Sequence, residues 1–286
     1  MRLASLWDED VKIEAGDGWV KIRDAIVKDP GPVAVLGGID TGKSTFLRWL
    51  AGELPGTCSF MDLDAGQPDV GLPSCLSFKE DLSDKSDPQL YFTGDFSPSS
   101  STARFLGAIA FLRNLYKDRG HLLINTCGWV DHTSFEYKIA KFRILKPGHF
   151  VFIIPPESRS ELFYLKKYYA RLGNGKIYVL PPSKVIKPRD REERRQRREF
   201  LLSRYFEGAS RCMKAAKKII IEGENPLPGD ASRGMLLGLL GRSGATLGIG
   251  LLCSWEPAGN LEFITPVPIK DVIGIRTGKA YLEIED

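Results

Sequence analysis

A chain of 286 residues, 43% hydrophobic and 27% charged, suits one large or two smaller domains of an ordinary globular protein. No apolar run approaches the ~18–20 residues a membrane span needs, and the acidic start MRLASLWDEDVKIEAG does not read as a signal peptide. The expectation is therefore a cytoplasmic protein without a membrane partner. A net charge of +4 admits an anionic partner without demanding one, and five cysteines with no C-x-x-C pair speak for reduced thiols rather than disulfides or a zinc site.

In chain order, VKI at 11–13 and WVKI at 19–22 flank AGDG, which predicts an N-terminal β-hairpin over residues 1–30. GPVAVLGG then reads as a buried strand, KSTFLRWLAGEL as a helix and TCSFMDLD as a second strand. Residues 79–90 are polar and acidic, a surface loop. TARFLGAIAFLRNLYKDRG carries apolar residues at helical spacing and closes on glycine. HLLIN, HFVFII and GKIYVL are strands, alternating with helices SFEYKIAKFRIL and SRSELFYLKKYYARLG. Uniformly apolar strands alternating with helices predict an α/β fold, a mostly parallel sheet covered on both faces. A charged helix follows over 188–206. From about residue 217 short strands, glycines and prolines take over. The expected division is a main domain over 31–215 and a small β-rich unit over 216–286.

GGIDTGKST, from Gly37 to Thr45, satisfies G-x-x-x-x-G-K-[ST] between a predicted strand and a predicted helix, the context a P-loop requires. Backbone N–H groups of Gly38, Ile39, Asp40, Thr41, Gly42, Lys43, Ser44 and Thr45 would cradle phosphates at a helix N-terminus. Lys43 would reach the β- and γ-phosphates of ATP, and Ser44 would hold Mg2+. A guanine-reading N-K-x-D and a transporter-type L-S-G-G-Q are both absent, which leaves a kinase or a switch of unusual type.

MDLDAGQPDVGLP places Asp62 and Asp64 at the end of the second strand, the sheet edge where ligands sit. Residues two apart on a strand point the same way, so one carboxylate could support the metal and the other accept a proton. Six arginines fall between 189 and 198; Arg194 and Arg198, four apart, share a helix face, while Leu201, Leu202, Tyr205 and Phe206 supply an apolar one. Such a run is either a solvated face or a phosphate clamp. INTCGWV sets Trp129 directly after a glycine at a strand end, either as core or as a flat surface for stacking.

Taken in order, GGIDTGKST, DLDAGQPDVGLP, INTCGWV and an arginine helix ending YFEG resemble the polynucleotide 5′-hydroxyl kinases of the cleavage-factor and pre-rRNA-processing type, the Clp/Grc/Nol group. The resemblance covers roughly residues 33–208 and implies a P-loop kinase that moves the γ-phosphate of ATP, with Mg2+, to the 5′-hydroxyl of RNA or DNA. It implies Asp64 as general base, Lys43 and the lid arginines Arg194 and Arg198 as catalytic groups, and Ser44 at the metal, which leaves Asp62 as the carboxylate of the pair that could support the metal. It further implies Gln67, Thr126, Cys127, Gly128 and Trp129 as contacts to the nucleic-acid end, with Trp129 stacking on a base. The rival expectation is a nucleotide-bound scaffold in RNA processing; protein partners are not legible.

Overall fold

The structure is a computed structural model that describes residues 13, 15–117, 120–155, 157, 160–183 and 188–282. Five parallel strands form its centre, in the order β7 (Lys176–Leu180), β6 (His149–Ile153), β1 (Val33–Gly37), β5 (His121–Thr126) and β2 (Cys58–Leu63). The four inner strands are buried along their whole length because both faces are covered, while β7 at the edge is partly exposed. Along β1, Val33 and Val35 join the core that α1 (Asp17–Lys28) and α2 (Lys43–Glu53) close with Ile22, Ile26, Phe46, Leu47 and Leu50. Ala34 and Leu36 join the opposite core beneath α3 (Thr102–Leu115), α4 (Ser134–Leu145) and α5 (Glu161–Leu172).

Between them, β5 separates β1 from β2, so β1 and β2 end on either side of it. That break in strand order opens a crevice at the carboxyl edge, where α/β sheets bind ligands. The phosphate loop, the D-x-D segment and the N-T-C-G-W segment all leave this edge.

The hairpin expected near the N-terminus is not what residues 17–28 form. They are helical, and WVKI lies inside α1; residues 11 and 12 lie outside the described residues. Ile22 and Ile26 are four apart and bury one stripe, and Trp19 meets Phe46 edge-on at 5.1 Å. Four alternating residues fit both periods; twelve fit only the helical one.

Beyond β2 the sheet turns antiparallel through β3 (Cys75–Lys79) and β4 (Gln89–Phe92), a hairpin around the polar segment read as loop. It continues into the C-terminal strands by one pairing, Thr246 with Leu90, where β11 (Thr246–Trp255) meets β4; there the Thr246 hydroxyl also accepts the Phe92 N–H. The remaining strands are β8 (Ser210–Ala215), β9 (Ile220–Glu222), β10 (Leu236–Leu240), β12 (Asn260–Thr265) and β13 (Gly274–Arg276). Ser210–Ala215 pairs along β12, so this stretch belongs with the C-terminal strands. One core joins Leu90 and Phe92 to Leu236, Ile249 and Leu251, and Leu202 and Tyr205 of α6 (Arg191–Phe206) enter it. The arginine helix is therefore anchored at its C-terminal half, and its N-terminal half extends over the crevice. Asp190 caps it in a reciprocal box with Glu193, one turn later than Pro188 suggested.

Candidate active site

The crevice is a cleft of about 630 Å3, within the range of small-ligand sites. Residues 39–45 form its floor. Gly42 has a φ of 101°, which glycine alone adopts freely, and it starts α2 with the helix N–H groups facing the cleft. Gly38 lies behind this lining, and its carbonyl accepts from Lys43 Nζ (2.7 Å) and Thr41 Oγ1 (3.1 Å). Burial pushes the Lys43 ammonium below its ordinary pKa, and the charge that opposes this most is the Asp64 carboxylate.

The two aspartates of the D-x-D pair do different things. β2 ends at Leu63, so Asp64 has left the strand and lines the cleft. Its Oδ1 accepts the N–H groups of Gly66 (3.1 Å) and Gln67 (3.0 Å), which fixes the carboxylate and leaves Oδ2 outside those two bonds. Asp62, expected at the metal, is not in the cleft. It is 1% exposed, and its two oxygens accept from the N–H groups of Asp64, Asp69 and Val70 and from Asn125 Nδ2. Burial first, then the facing Asp69 carboxylate, raises its pKa well above the usual range. Asp62 builds the turn that presents Asp64.

Asp69, which sequence reading left unassigned, accepts a hydrogen bond from the Ser44 hydroxyl and shares Asn125 Nδ2 with Asp62. Arg197 lies 4.0 Å from it and donates to the Pro68 carbonyl at 3.2 Å. Burial raises the Asp69 pKa, with Ser44 and Arg197 opposing. An aspartate five residues beyond the D-x-D pair, in a block already rich in loop formers, was the available signal.

At the end of β5, Thr126 is also a correction. It is 2% exposed and donates to the Val35 carbonyl at 2.8 Å, tying β5 to β1 instead of facing a ligand. Cys127, Gly128 and Trp129 do line the cleft. A side chain on Gly128 would stand 2.7–3.1 Å from Ile39, so only glycine lets this segment lie against the phosphate loop. The Trp129 indole is held by its N–H to Asp131 Oδ2 (2.7 Å) and by Tyr137, 5.6 Å away and tilted 37°. Lys138 Nζ donates to its carbonyl. The ring is half-buried, packed against the core and lining the cleft.

Arg194, Arg197 and Arg198 form the roof, with Arg189 just before the helix. Arg198 lies over the Phe96 ring at 4.7 Å. Gln67, expected to touch nucleic acid, lines the cleft, but its Nε2 donates to the carbonyls of Gly66 (2.8 Å) and Arg194 (2.9 Å), so it also holds the arginine helix.

On α4, Lys141 is 1% exposed and lies 5.3 Å from the Tyr137 ring and 5.0 Å from the Phe142 ring. Burial drives its pKa down to about 7; Lys138 and Lys43 add to the shift, while Cys127 and Asp64 oppose it. The unfolded value is ~10.4. Between pH 7 and about 10 the unfolded chain binds the extra proton, so stability from this site rises with pH, and the cost of burying an ammonium is fully present below 7. Lys141→Met is expected to melt on the order of 5 °C above wild type at pH 6, the gap closing toward pH 10. An equal gap at both pH values in thermal melts would refute this.

Residues 37–208 match the family model described as mRNA cleavage and polyadenylation factor Clp1 P-loop. The polyribonucleotide 5′-hydroxyl-kinase of Pyrococcus furiosus is 27% identical over 72% of this chain, which spans only 59% of that protein's length. That of Pyrococcus horikoshii is 25% identical, over 88% of this chain and 86% of its own. Human polynucleotide 5′-hydroxyl-kinase NOL9 is 26% identical over 42% of this chain and 19% of its own. Among solved structures, the fold is similar to a chain of the Clp1p–Pcf11p complex, with a TM-score of 0.73 and 15% identity over 92% of this chain and 78% of that one. The match runs from the first glycine of the phosphate loop to the turn after the arginine helix, and the chain belongs to the Clp1 P-loop family.

Proposed function

We propose that this protein transfers the γ-phosphate of ATP to the 5′-hydroxyl of a polynucleotide, RNA first and DNA second. The observation that carries the reading is one cleft with Lys43 and the phosphate loop on its floor, Asp64 on its wall and the lid arginines above. The names of the similar archaeal and human proteins support it. In the proposed reaction the Asp64 carboxylate takes the proton of the 5′-hydroxyl, whose oxygen bonds to the γ-phosphorus as the bond to the ADP oxygen breaks. Lys43, Arg194 and Arg198 spread the charge of the moving phosphoryl group.

The residues fit a hard divalent cation. Ser44 offers a hydroxyl at the start of α2, backed by the Asp69 carboxylate, and among the described residues no group of three or more His, Cys, Asp or Glu side chains is arranged to hold a metal ion by itself. Mg2+ characteristically takes one or two protein ligands and fills the rest with phosphate and water. When bound it would neutralise phosphate charge. Asp69 takes the place that sequence reading gave to Asp62.

Transfer of labelled γ-phosphate to 5′-hydroxyl oligonucleotides of RNA and DNA tests the reading. ATP binding without any transfer would leave the scaffold as the better account. Trp129 has a further consequence. A fixed indole on the cleft wall suits stacking on the terminal base, worth ~1–3 kcal/mol. Trp129→Ala is expected to raise the apparent acceptor constant about 5–150-fold, alike for all four 5′ bases, with ATP affinity kept. A lower melting temperature with acceptor affinity intact would make the ring core only.

A further inference from the structure

A carboxylate inside a phosphate cradle is an electrostatic liability, because it repels the anion the loop is built to hold. Asp40 is such a group. Its side chain is 3% exposed, and its backbone has a φ of 52°, a left-handed turn that Asp and Asn tolerate better than most residues. Its Oδ1 accepts from Arg189 Nε (3.2 Å) and Nη2 (2.8 Å), and its Oδ2 accepts the Arg189 backbone N–H at 2.8 Å. Burial opposes ionisation of Asp40, but these bonds outweigh it and hold its pKa below the usual range.

The contact continues into the lid. The carbonyl of Arg189 accepts from the guanidinium of Arg194, whose Nη1 lies 4.0 Å from Asp40 Oδ2. From the opposite wall Gln67 holds the Arg194 carbonyl. Asp40 thus fixes both backbone and side chain of the residue that carries Arg194. A bidentate fork sets an orientation, which a lone charge does not.

We propose that the Asp40 side chain is a positioning group: through Arg189 it sets Arg194 in register over the phosphate loop, and the carboxylate itself is not a nucleotide ligand. The inference rests on the kinase reading above. Its sign is distinctive. A phosphate-loop residue that binds nucleotide weakens ATP when removed, whereas loss of the Asp40 charge leaves ATP binding as tight or tighter and slows transfer.

Asp40→Asn is the test, since asparagine keeps the left-handed turn. At saturating ATP and acceptor its turnover is expected to fall about 10–100-fold, the scale of a misplaced catalytic group, while the ATP dissociation constant without acceptor does not rise. Arg189→Ala, at a half-exposed position, should lose as much. The double variant should be no slower than the slower single one, and Arg189→Lys should lie between. Multiplicative losses, or weaker ATP binding with turnover unchanged, overturn the proposal. A second readout needs no kinase activity: trypsin should cut within 189–198 faster in Asp40→Asn than in wild type, with equal melting temperatures. Equal cleavage overturns the latch. Faster cleavage in a protein that transfers no phosphate sinks the kinase reading and keeps the latch.

Discussion

Asp64→Asn is expected to bind ATP as wild type does and to lose phosphoryl transfer by on the order of 10²–10⁴, the range of a general base. The geometry makes this substitution clean. Oδ1 carries the structural work, accepting from Gly66 and Gln67, and an asparagine oxygen takes over both bonds. Only the second arm changes, from an acceptor of protons to an amide. Lys43→Ala should abolish transfer too, but by a different route, since it removes a cation from the phosphate floor and weakens ATP as well. Asp62→Asn is the instructive contrast. Each Asp62 oxygen already accepts from protein donors, so an amide NH2 would face N–H groups, and the variant should lose stability first. ATP titrations with single-turnover transfer separate the three. Near-normal transfer by Asp64→Asn would remove Asp64 as the base, since Asp62 and Asp69 are both buried behind the cleft.

The D-x-D pair also shows where sequence reasoning stops. Two residues apart on a strand share a face, but the rule holds only while the strand lasts, and β2 ends between these two. The same boundary misplaced Thr126, which is the last residue of β5 and still bonded across the sheet. The parallel centre was legible because apolar runs and helical periods alternate over long stretches. The N-terminal segment was not, because four residues of WVKI satisfy two periods at once. Among the arginines, spacing of four picked out Arg194 and Arg198, and the same helical face at i+3 holds Arg197. Arg189 precedes the helix, so no periodicity would mark it; only the fold brings it to Asp40.

The arginine lid separates the bland and the sharp readings of one charged helix. Were residues 189–198 merely solvated, alanine at Arg194 and Arg198 would remove exposed ion pairs worth ~0–1 kcal/mol, and little would follow. Instead both side chains line the cleft, Arg194 bonded to the Arg189 carbonyl and Arg198 over Phe96. The helix itself is held elsewhere, by Leu202 and Tyr205 in the C-terminal core, with Tyr205 Oη accepting the Ile249 N–H at 2.9 Å. Losing the two guanidinium groups therefore leaves the helix anchored. Arginines supplied to a phosphoryl-transfer transition state contribute on the order of 10³–10⁵ in rate in other P-loop enzymes. Here Lys43 shares the load and Arg197 remains, so the double alanine variant is expected to lose at least ~100-fold in turnover, with ATP affinity changed far less. Lysine at both positions should restore only part of this, because an ammonium keeps the charge but neither the fork nor the flat face that lies on Phe96. Single-turnover phosphorylation of a saturating 5′-hydroxyl oligonucleotide reads the loss directly. A double variant as fast as wild type would return the helix to a charged surface, and Arg197 with Lys43 would then have to carry the transferring charge alone.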